Sequence, residues 1–446
     1  MDRTDEIDVG EVLRDRPLGR FQIATFALCV LMLFVDGLDY SAANVAAPAI
    51  LRAFKAEPGA MSWVFGWGYF GFFIGSLVFG YIGDKLGRKT GAIAAVLTYS
   101  VPSLLTVFAT TFDQLAAFRC LAGLGIGGVI PNTVALLTEA APKAVRVTFI
   151  MAAFVGYSAG NAAIAPVAAL FIPKFGWPVV FIVAGTAGLA LAVMLGLFLS
   201  ESILFLAAVR PDSGRLRMLF ARAAPEVSIS KETRLLARRS AKETRFSLAL
   251  LFEGDRRFIT PLLWLAFFAE ALTYITLSTW LTVILERAGL APAEAAFTYS
   301  YASLGAAVAI LIIARLLDRF GPLVGAGSAL AAVAAIVALG SPGLPVPLLT
   351  AFAVAGIAFG SATHNSLLGI VGGYYPTIVR GNGVGSASGL GRISAIVGLV
   401  SAGYLLSNFP LQVVLFSIAA PDLAVAAVCL ALAYYGRASY QVAETG

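Results

Sequence analysis

Polar residues cluster along this chain, and long apolar runs stand between the clusters. Twelve such runs lie near residues 21–46, 61–82, 90–109, 113–138, 148–171, 177–199, 258–284, 295–317, 323–341, 345–373, 383–407 and 411–435. A helix needs about 20 apolar residues to cross the hydrocarbon of a bilayer. The pattern predicts an all-α membrane protein of twelve transmembrane helices, spans 1–12. One long polar stretch, 200–257, is left over.

Composition sharpens this reading. Of 446 residues, 59% are apolar and 13% charged, and the mean hydropathy is +0.88. A soluble domain carries roughly 25% charged residues, so this chain cannot cover a water-facing surface. Soluble enzymes, nucleic-acid modules, secreted disulfide scaffolds and disordered chains are excluded. Cys29, Cys120 and Cys429 all fall in apolar runs. The net charge of +6 belongs to the loops.

Basic residues favour the cytoplasmic side of a membrane. With the N-terminus inside, 25 of the 31 Lys and Arg residues fall on the cytoplasmic side. Only Arg52, Lys55, Lys174 and Arg287 fall outside, and Arg119 and Arg392 lie within spans. Both termini are therefore expected in the cytoplasm. The acidic residues Asp2, Asp5, Glu6, Asp8 and Glu11 near the start argue against a cleaved signal peptide.

The halves of the chain overlay at a shift of 234 residues. Asp84-Lys85-Leu86-Gly87 falls on Asp318-Arg319-Phe320-Gly321, Pro142 on Pro376 and Arg146 on Arg380. The shift predicts two pseudo-symmetric six-helix bundles, 1–199 and 258–446, with a cytoplasmic linker at 200–257. Such bundles place a substrate near the midplane between them. The linker holds 12 basic and 7 acidic residues. It is expected to be solvated, with short surface helices touching anionic lipid. No exposed segment interleaves its basic residues with aromatics, so no nucleic-acid partner is expected.

Several motifs carry a resemblance. Gly80-Tyr81-Ile82-Gly83-Asp84-Lys85-Leu86-Gly87-Arg88-Lys89 resembles the signature loop of the major facilitator superfamily. Its glycines allow a tight turn and close helix approach, and Asp84 is placed to accept hydrogen bonds at a helix N-terminus. A degenerate copy runs from Ala314 to Arg319. Asp36-Gly37-Leu38-Asp39 in span 1 is similar to the Asp-Gly-x-Asp motif of the aromatic acid:proton symporters. The run from Arg119 through Gly123, Gly125, Gly127, Pro131 and Asn132 to Glu139 resembles the same family. So does Tyr375-Pro376-Thr377 with Arg380, Gly383, Gly389 and Arg392, although Ser386 and Ser388 stand where the family usually has Trp and Leu.

The resemblance implies the major facilitator fold and proton-coupled uptake of a benzoate- or hydroxybenzoate-type acid across a bacterial inner membrane. The expected partners are the acid, protons and the lipid bilayer, and the protein is expected to act as a monomer. A symporter of another monocarboxylate or of a sugar acid is the alternative, with a drug exporter third. The superfamily also implies a cytoplasmic gate built from Gly80, Asp84, Arg88, Glu139, Arg146, Asp318, Arg319 and Arg380.

Charges within spans are expensive and mark function. Asp36 and Asp39 share a helix face, and two such carboxyls resist double ionisation, so both are candidates for proton coupling; either could instead be structural. Asp39 is also a candidate for the substrate. Arg119 and Arg392 could each grip a substrate carboxylate or neutralise an Asp, and for Arg119 pairing with span 1 is favoured. Glu270 falls on Asp36 under the shift and leads a stripe with Thr273, Tyr274 and Thr276. His364, the single histidine, lies beside Asn365. Glu270 and His364 are proton-coupling candidates, and His364, Asn365 and Tyr274 substrate candidates; helix packing is the other reading of Glu270 and His364. Aromatics suited to the cavity are Phe34, Tyr40, Trp63, Trp67, Tyr274, Trp280 and Tyr301. Asp422, after Pro421, reads as a local break reached by water. No Gly-Lys-Ser/Thr loop, metal-ligand set or hydrolase triad occurs, so neither a cofactor nor an enzyme activity is expected.

Overall fold

A computed structural model describes residues 6–14, 18–143, 145–227, 229, 233–237, 249–254, 256–375 and 379–440. Twelve helices are long and apolar enough to cross a membrane. Arg20–Phe54, Gly59–Leu86, Arg88–Phe108, Phe112–Ala140, Thr148–Phe175 and Pro178–Phe198 are spans 1–6. Arg256–Arg287, Pro292–Phe320, Pro322–Leu339, Val346–Tyr374, Gly381–Asn408 and Leu411–Tyr434 are spans 7–12. Helices satisfy every internal backbone group within one segment, which lipid demands. The N-terminal arm from Glu6, the described part of the linker and the end of span 12 lie at one end of the molecule, termed the terminal end; the opposite end is the far end.

The spans form two six-helix bundles. The shift of 234 residues carries the start of each of the first six helices onto its counterpart within two residues. Between spans 2 and 3 the turn is a single residue, Gly87, whose φ of 109° favours glycine. A Cβ there would strike the Glu201 carboxyl. Gly80 has nothing near its missing Cβ; the close approach falls at Gly83, against Asn132.

The apolar cores show how the bundles meet. One cluster at the far end mixes residues of both bundles, such as Ala46, Phe65, Trp280 and Leu406. Toward the terminal end the core divides. One cluster there, with Met32 and Leu195, belongs to the first bundle, and another, with Phe267 and Cys429, to the second. Spans 1, 2 and 5 pack across on spans 7, 11 and 8.

Polar bonds join the bundles at the same end. Arg52 pairs with Glu286, and Thr282 donates to the Asn44 carbonyl at 2.5 Å. Ser41 and Tyr299 share a bond of 2.7 Å, and the Gly59 amide donates to Ser407 at 2.9 Å. Among the described residues, the cross-bundle bond nearest the terminal end is from Arg392 to Ser76.

The linker carries short helices, and they are packed. Its helices Ile203–Val209 and Gly214–Ala223 pack with the N-terminal helix Val9–Arg14 around a buried cluster that includes Leu13, Leu216 and Phe220. Strand Glu6–Asp8 pairs in parallel with Arg234–Leu236. The first part of the linker, through residue 237, is thus a small packed cap on the first bundle, because its amphipathic helices find the N-terminal arm to cover their apolar faces, whereas Ala249–Phe252 packs on span 7.

Candidate functional site

A cavity of about 470 Å³ lies between the bundles. Tyr299 and Leu281 bound it toward the far end, and it runs past Arg392 to Met151 and Leu368 nearer the terminal end. Five tyrosines line it, Tyr40, Tyr69, Tyr157, Tyr274 and Tyr299. Tyr40 and Tyr274 occupy the same place in the repeat, so each bundle supplies one from its first helix.

Arg392 reaches into this space from span 11. Among the described residues it is the one Lys or Arg on the cavity wall. Its guanidinium lies over the Phe72 ring, 5.2 Å from the centroid, and donates to Ser76. No carboxylate pairs with it among the described residues.

The second bundle's wall also carries Glu270, on span 7, and His364, on span 10. Glu270 Oε2 and His364 Nδ1 are 3.0 Å apart, while Oε1 is buried without a partner. The His364 side chain is 34% exposed and Glu270 only 1%, so the imidazole stands between the carboxylate and the cavity. Tyr274 stacks on the imidazole at 6.0 Å, and Asn365 lines the cavity beside it.

Asp39 and Arg119 lie elsewhere. Arg119 Nη1 donates to Asp39 Oδ1 and to Ser103 Oγ, both at 3.1 Å, and its guanidinium lies over Phe181. Both are buried behind Tyr40 and off the wall of the main cavity, so in this conformation neither touches a substrate held there. Asp36 is fully buried, and neither carboxyl oxygen has a hydrogen-bond partner. Gly37 between the two aspartates admits span 5: a Cβ there would strike the Tyr157 carbonyl.

Among the described residues, those expected at the gate make no bond between the bundles. Arg88 binds both Asp84 and Glu139, and Ser202 donates to Glu139, all within the first bundle and its cap. Asp84 is exposed and caps no helix of the other bundle, since the bundles stand apart at this end. Arg146 donates to the Ala141 carbonyl rather than to Glu139. Asp318 is exposed without an ion pair among the described residues, and Arg319 lies over Phe320. Arg380 begins its helix, but its side chain, like Pro376, lies outside the described residues.

Of the expected aromatics, Tyr40 and Tyr274 line the cavity. Trp63, Trp67 and Tyr301 are 63%, 44% and 54% exposed on the outer surface. Trp280 is buried at the far end, donating to the Leu399 carbonyl and meeting Phe65 edge-on, and Phe34 packs on the core. Tyr69, Tyr157, Tyr299 and Asn161 were not expected on the wall. Asp422 is fully buried: the helix does break between Ala419 and Pro421, but spans 7 and 9 close over it. No group of three or more His, Cys, Asp or Glu among the described residues is placed to hold a metal.

The chain is 31% identical to the 4-hydroxybenzoate transporter PcaK of Pseudomonas aeruginosa, over 96% of each chain. It is 32% identical to a gallate transporter of Pseudomonas putida, over 90% of this chain and 89% of that one. Its fold matches the crystal structure of a point mutant of the nucleoside transporter NupG with a TM-score of 0.72, at 12% identity, over 93% of this chain and 100% of that one. The Major Facilitator Superfamily model matches residues 29–391 and 263–445. With the twelve-helix fold and a cavity between paired bundles, these matches establish that the chain is a multi-pass membrane transporter belonging to the Major Facilitator Superfamily.

Proposed function

We propose that this protein imports a small aromatic carboxylate of benzoate or hydroxybenzoate type together with protons, by alternating access. The observation that carries the reading is Arg392, a cation without an anion in a tyrosine-lined cavity. A guanidinium offers a planar fork matched to a carboxylate. Ser76 is an exchangeable partner for it, and Phe72 and Tyr69 stand where the attached ring would lie. Relatives that bear the names of 4-hydroxybenzoate and gallate transporters support this substrate class.

The proton reading rests on Glu270 and His364. Glu270 is shielded from the cavity by a side chain that itself changes charge near neutral pH. A proton arriving through the cavity meets His364 first. Asp39 is held by Arg119 in this conformation, away from the cavity. The terminal end lies in the cytoplasm of a bacterial inner membrane, with the cavity open toward it. On closure of that end, Asp84, Arg88 and Glu139 of the first bundle approach Asp318, Arg319 and Arg380 of the second. A sugar acid is the second reading, favoured by the amides of Asn161 and Asn365 on the wall.

Uptake of labelled 4-hydroxybenzoate into proteoliposomes tests the proposal. Accumulation should require an inward proton gradient, vanish with a protonophore, and fall to simple equilibration in Glu270→Gln while substrate counterflow survives. Accumulation that persists without the gradient would remove the proton, and uptake of gluconate in preference to hydroxybenzoate would replace the ring.

A further inference from the structure

Two asparagines line the cavity, and the structure holds their amides in opposite senses. Asn365 Nδ2 donates to the Ser361 carbonyl of its own helix at 2.8 Å. Asn161, on span 5, commits its carbonyl instead: Ser41 Oγ donates to Asn161 Oδ1 at 3.0 Å. Asn161 Nδ2 makes no bond among the described residues and is not among the buried unpaired atoms, so its hydrogens face the cavity that Asn161 lines.

Counting hydrogens fixes that sense. A serine or tyrosine hydroxyl has one hydrogen to give. Ser41 also shares a bond of 2.7 Å with the Tyr299 hydroxyl, and Asn44 Nδ2 donates to that hydroxyl at 3.4 Å. If Ser41 gives its hydrogen to Asn161, Tyr299 gives its own to Ser41, and each hydroxyl hydrogen has an acceptor. If Ser41 gave its hydrogen to Tyr299, the tyrosine hydrogen would have no acceptor among the described residues. Ser41 is fully buried there and Tyr299 is buried, and an unmatched buried donor is costly. The chain of bonds therefore runs one way, from Asn44 through Tyr299 and Ser41 to Asn161. It ends on a donor presented to the cavity.

The packing around Asn161 keeps it in place. Gly37 lets span 1 lie against span 5, and a Cβ on it would come within 2.9 Å of Asn161 Oδ1. Ser300 of span 8 donates to the Ala162 carbonyl at 2.9 Å, which fixes the next residue of span 5. Spans 5 and 8 thus meet along one seam between the bundles. Spans 2 and 11 meet along another, where Arg392 contacts Ser76 and Phe72. The cavity reaches both seams. An acid with its carboxylate on Arg392 and its ring at Phe72 and Tyr69 directs its para substituent toward Asn161.

We infer that Asn161 is a specificity-determining residue, whose amide donates to an oxygen at the end of the substrate away from the carboxylate, and that Ser41 and Tyr299 are positioning residues that hold the amide in this sense. The inference rests on the reading of Arg392 as the carboxylate site, and it narrows the substrate class to para-oxygenated aromatic acids. A substrate oxygen satisfies the amide donor. An apolar substituent of the same size takes water from that donor and returns nothing, which is how a polar site rejects an isostere.

Isothermal titration of the purified full chain with 4-hydroxybenzoate and 4-methylbenzoate tests this, because the two acids differ little in size. The wild type should bind the hydroxy acid about tenfold tighter or more. In Asn161→Leu the hydroxy acid should weaken about tenfold while the methyl acid binds at least as well as before. Asn161→Ala should abolish the preference in the same way and serves if the leucine variant does not fold. Ser41→Ala, which frees the amide to turn, should reduce the preference about threefold and leave the methyl acid unchanged. Equal weakening of both acids in the Asn161 variants, or a wild type indifferent to the exchange of hydroxyl for methyl, would overturn the inference. A wild type that takes gluconate and neither ring acid would instead defeat the transport reading. Gluconate against hexanoate, which lacks its hydroxyls, would then decide Asn161: a preference lost in the variants supports its role, and a preference kept overturns it.

Discussion

In the first bundle Asp39 is neutralised by Arg119, a cation at every accessible pH, and the pair is buried off the main cavity. In the second bundle Glu270 is bound by His364, a neutral or cationic side chain rather than a permanent cation, and the pair lines the cavity. Each bundle also holds a carboxyl with no hydrogen-bond partner, Asp36 in one and Asp422 in the other. The duplicated frame thus carries two versions of one device. One is locked by a permanent ion pair; the other is exposed to whatever occupies the cavity. Under the proposed mechanism, this asymmetry would let a symmetric fold exchange a proton through one pair and hold its shape through the other.

The comparison is broken most severely by removing one cation from each pair. Arg119→Leu leaves the buried Asp39 carboxyl without its partner, and removing one member of a buried pair costs about 3–5 kcal/mol. His364→Leu should cost less, about 1–3 kcal/mol, because Glu270 lines the cavity, where water can take the place of the lost partner. Thermal unfolding of the purified variants in detergent should rank Arg119→Leu well below His364→Leu. Adding Asp39→Asn to Arg119→Leu should recover part of the loss. Equal melting of the two single variants would show that the pairs are not different in kind.

A smaller effect sharpens the picture at the substrate. Arg392→Lys keeps a positive charge but loses the planar fork. Binding of hydroxybenzoate should weaken about ten- to a hundredfold, which is about 1.4–2.7 kcal/mol. A neutral ring analogue such as hydroxybenzamide should be affected far less. Isothermal titration with both ligands separates the two cases; matching losses would mean that Arg392 only holds span 11 against Phe72 and Ser76. The smallest effect belongs to the gate. The Asp84 partner Arg88 is one turn away on an exposed surface, where such a pair contributes about 0.3–0.5 kcal/mol. Asp84→Asn should scarcely change melting, yet it should alter labelling of a cysteine placed on the terminal half of span 5 if this loop meets the second bundle on closure.

Much of the architecture could be read from the sequence, because each span announces itself by length and hydropathy. The repeat was legible because Asp84 and Asp318 lie in polar loops, where identity is not masked by apolar composition. What could not be read was the direction in which each helix faces. Lipid and protein core are both apolar, so a span surrounded partly by each shows little amphipathic pattern. Trp63, Trp67 and Tyr301 turned outward for this reason, while Tyr69, Tyr157 and Tyr299 turned inward. One signal was available and unused: Tyr40 and Tyr274 coincide under the 234-residue shift, which marks both as cavity positions. The charged residues were easier to place, since a buried cation must find an anion, as Arg119 found Asp39. Asp422 escaped because a break at Pro421 suggests water, and only the packing of spans 7 and 9 shows that none reaches it.

The cap formed by the N-terminal arm and the linker has a consequence for how the chain is held together. All of its buried cluster comes from residues before 238, and it rests on the first bundle alone. The covalent thread to the second bundle is therefore separate from the packing that aligns the two, which lies in the shared core at the far end. A chain cut between Ala237 and Ala249 should behave as two fragments that recognise each other. Expressed from separate genes, they should assemble in the membrane into one particle that co-purifies through a tag on either piece. Removing Glu6–Asp8 from the first fragment should loosen the cap without parting the pair, whereas Phe65→Asp, within the shared core, should part it.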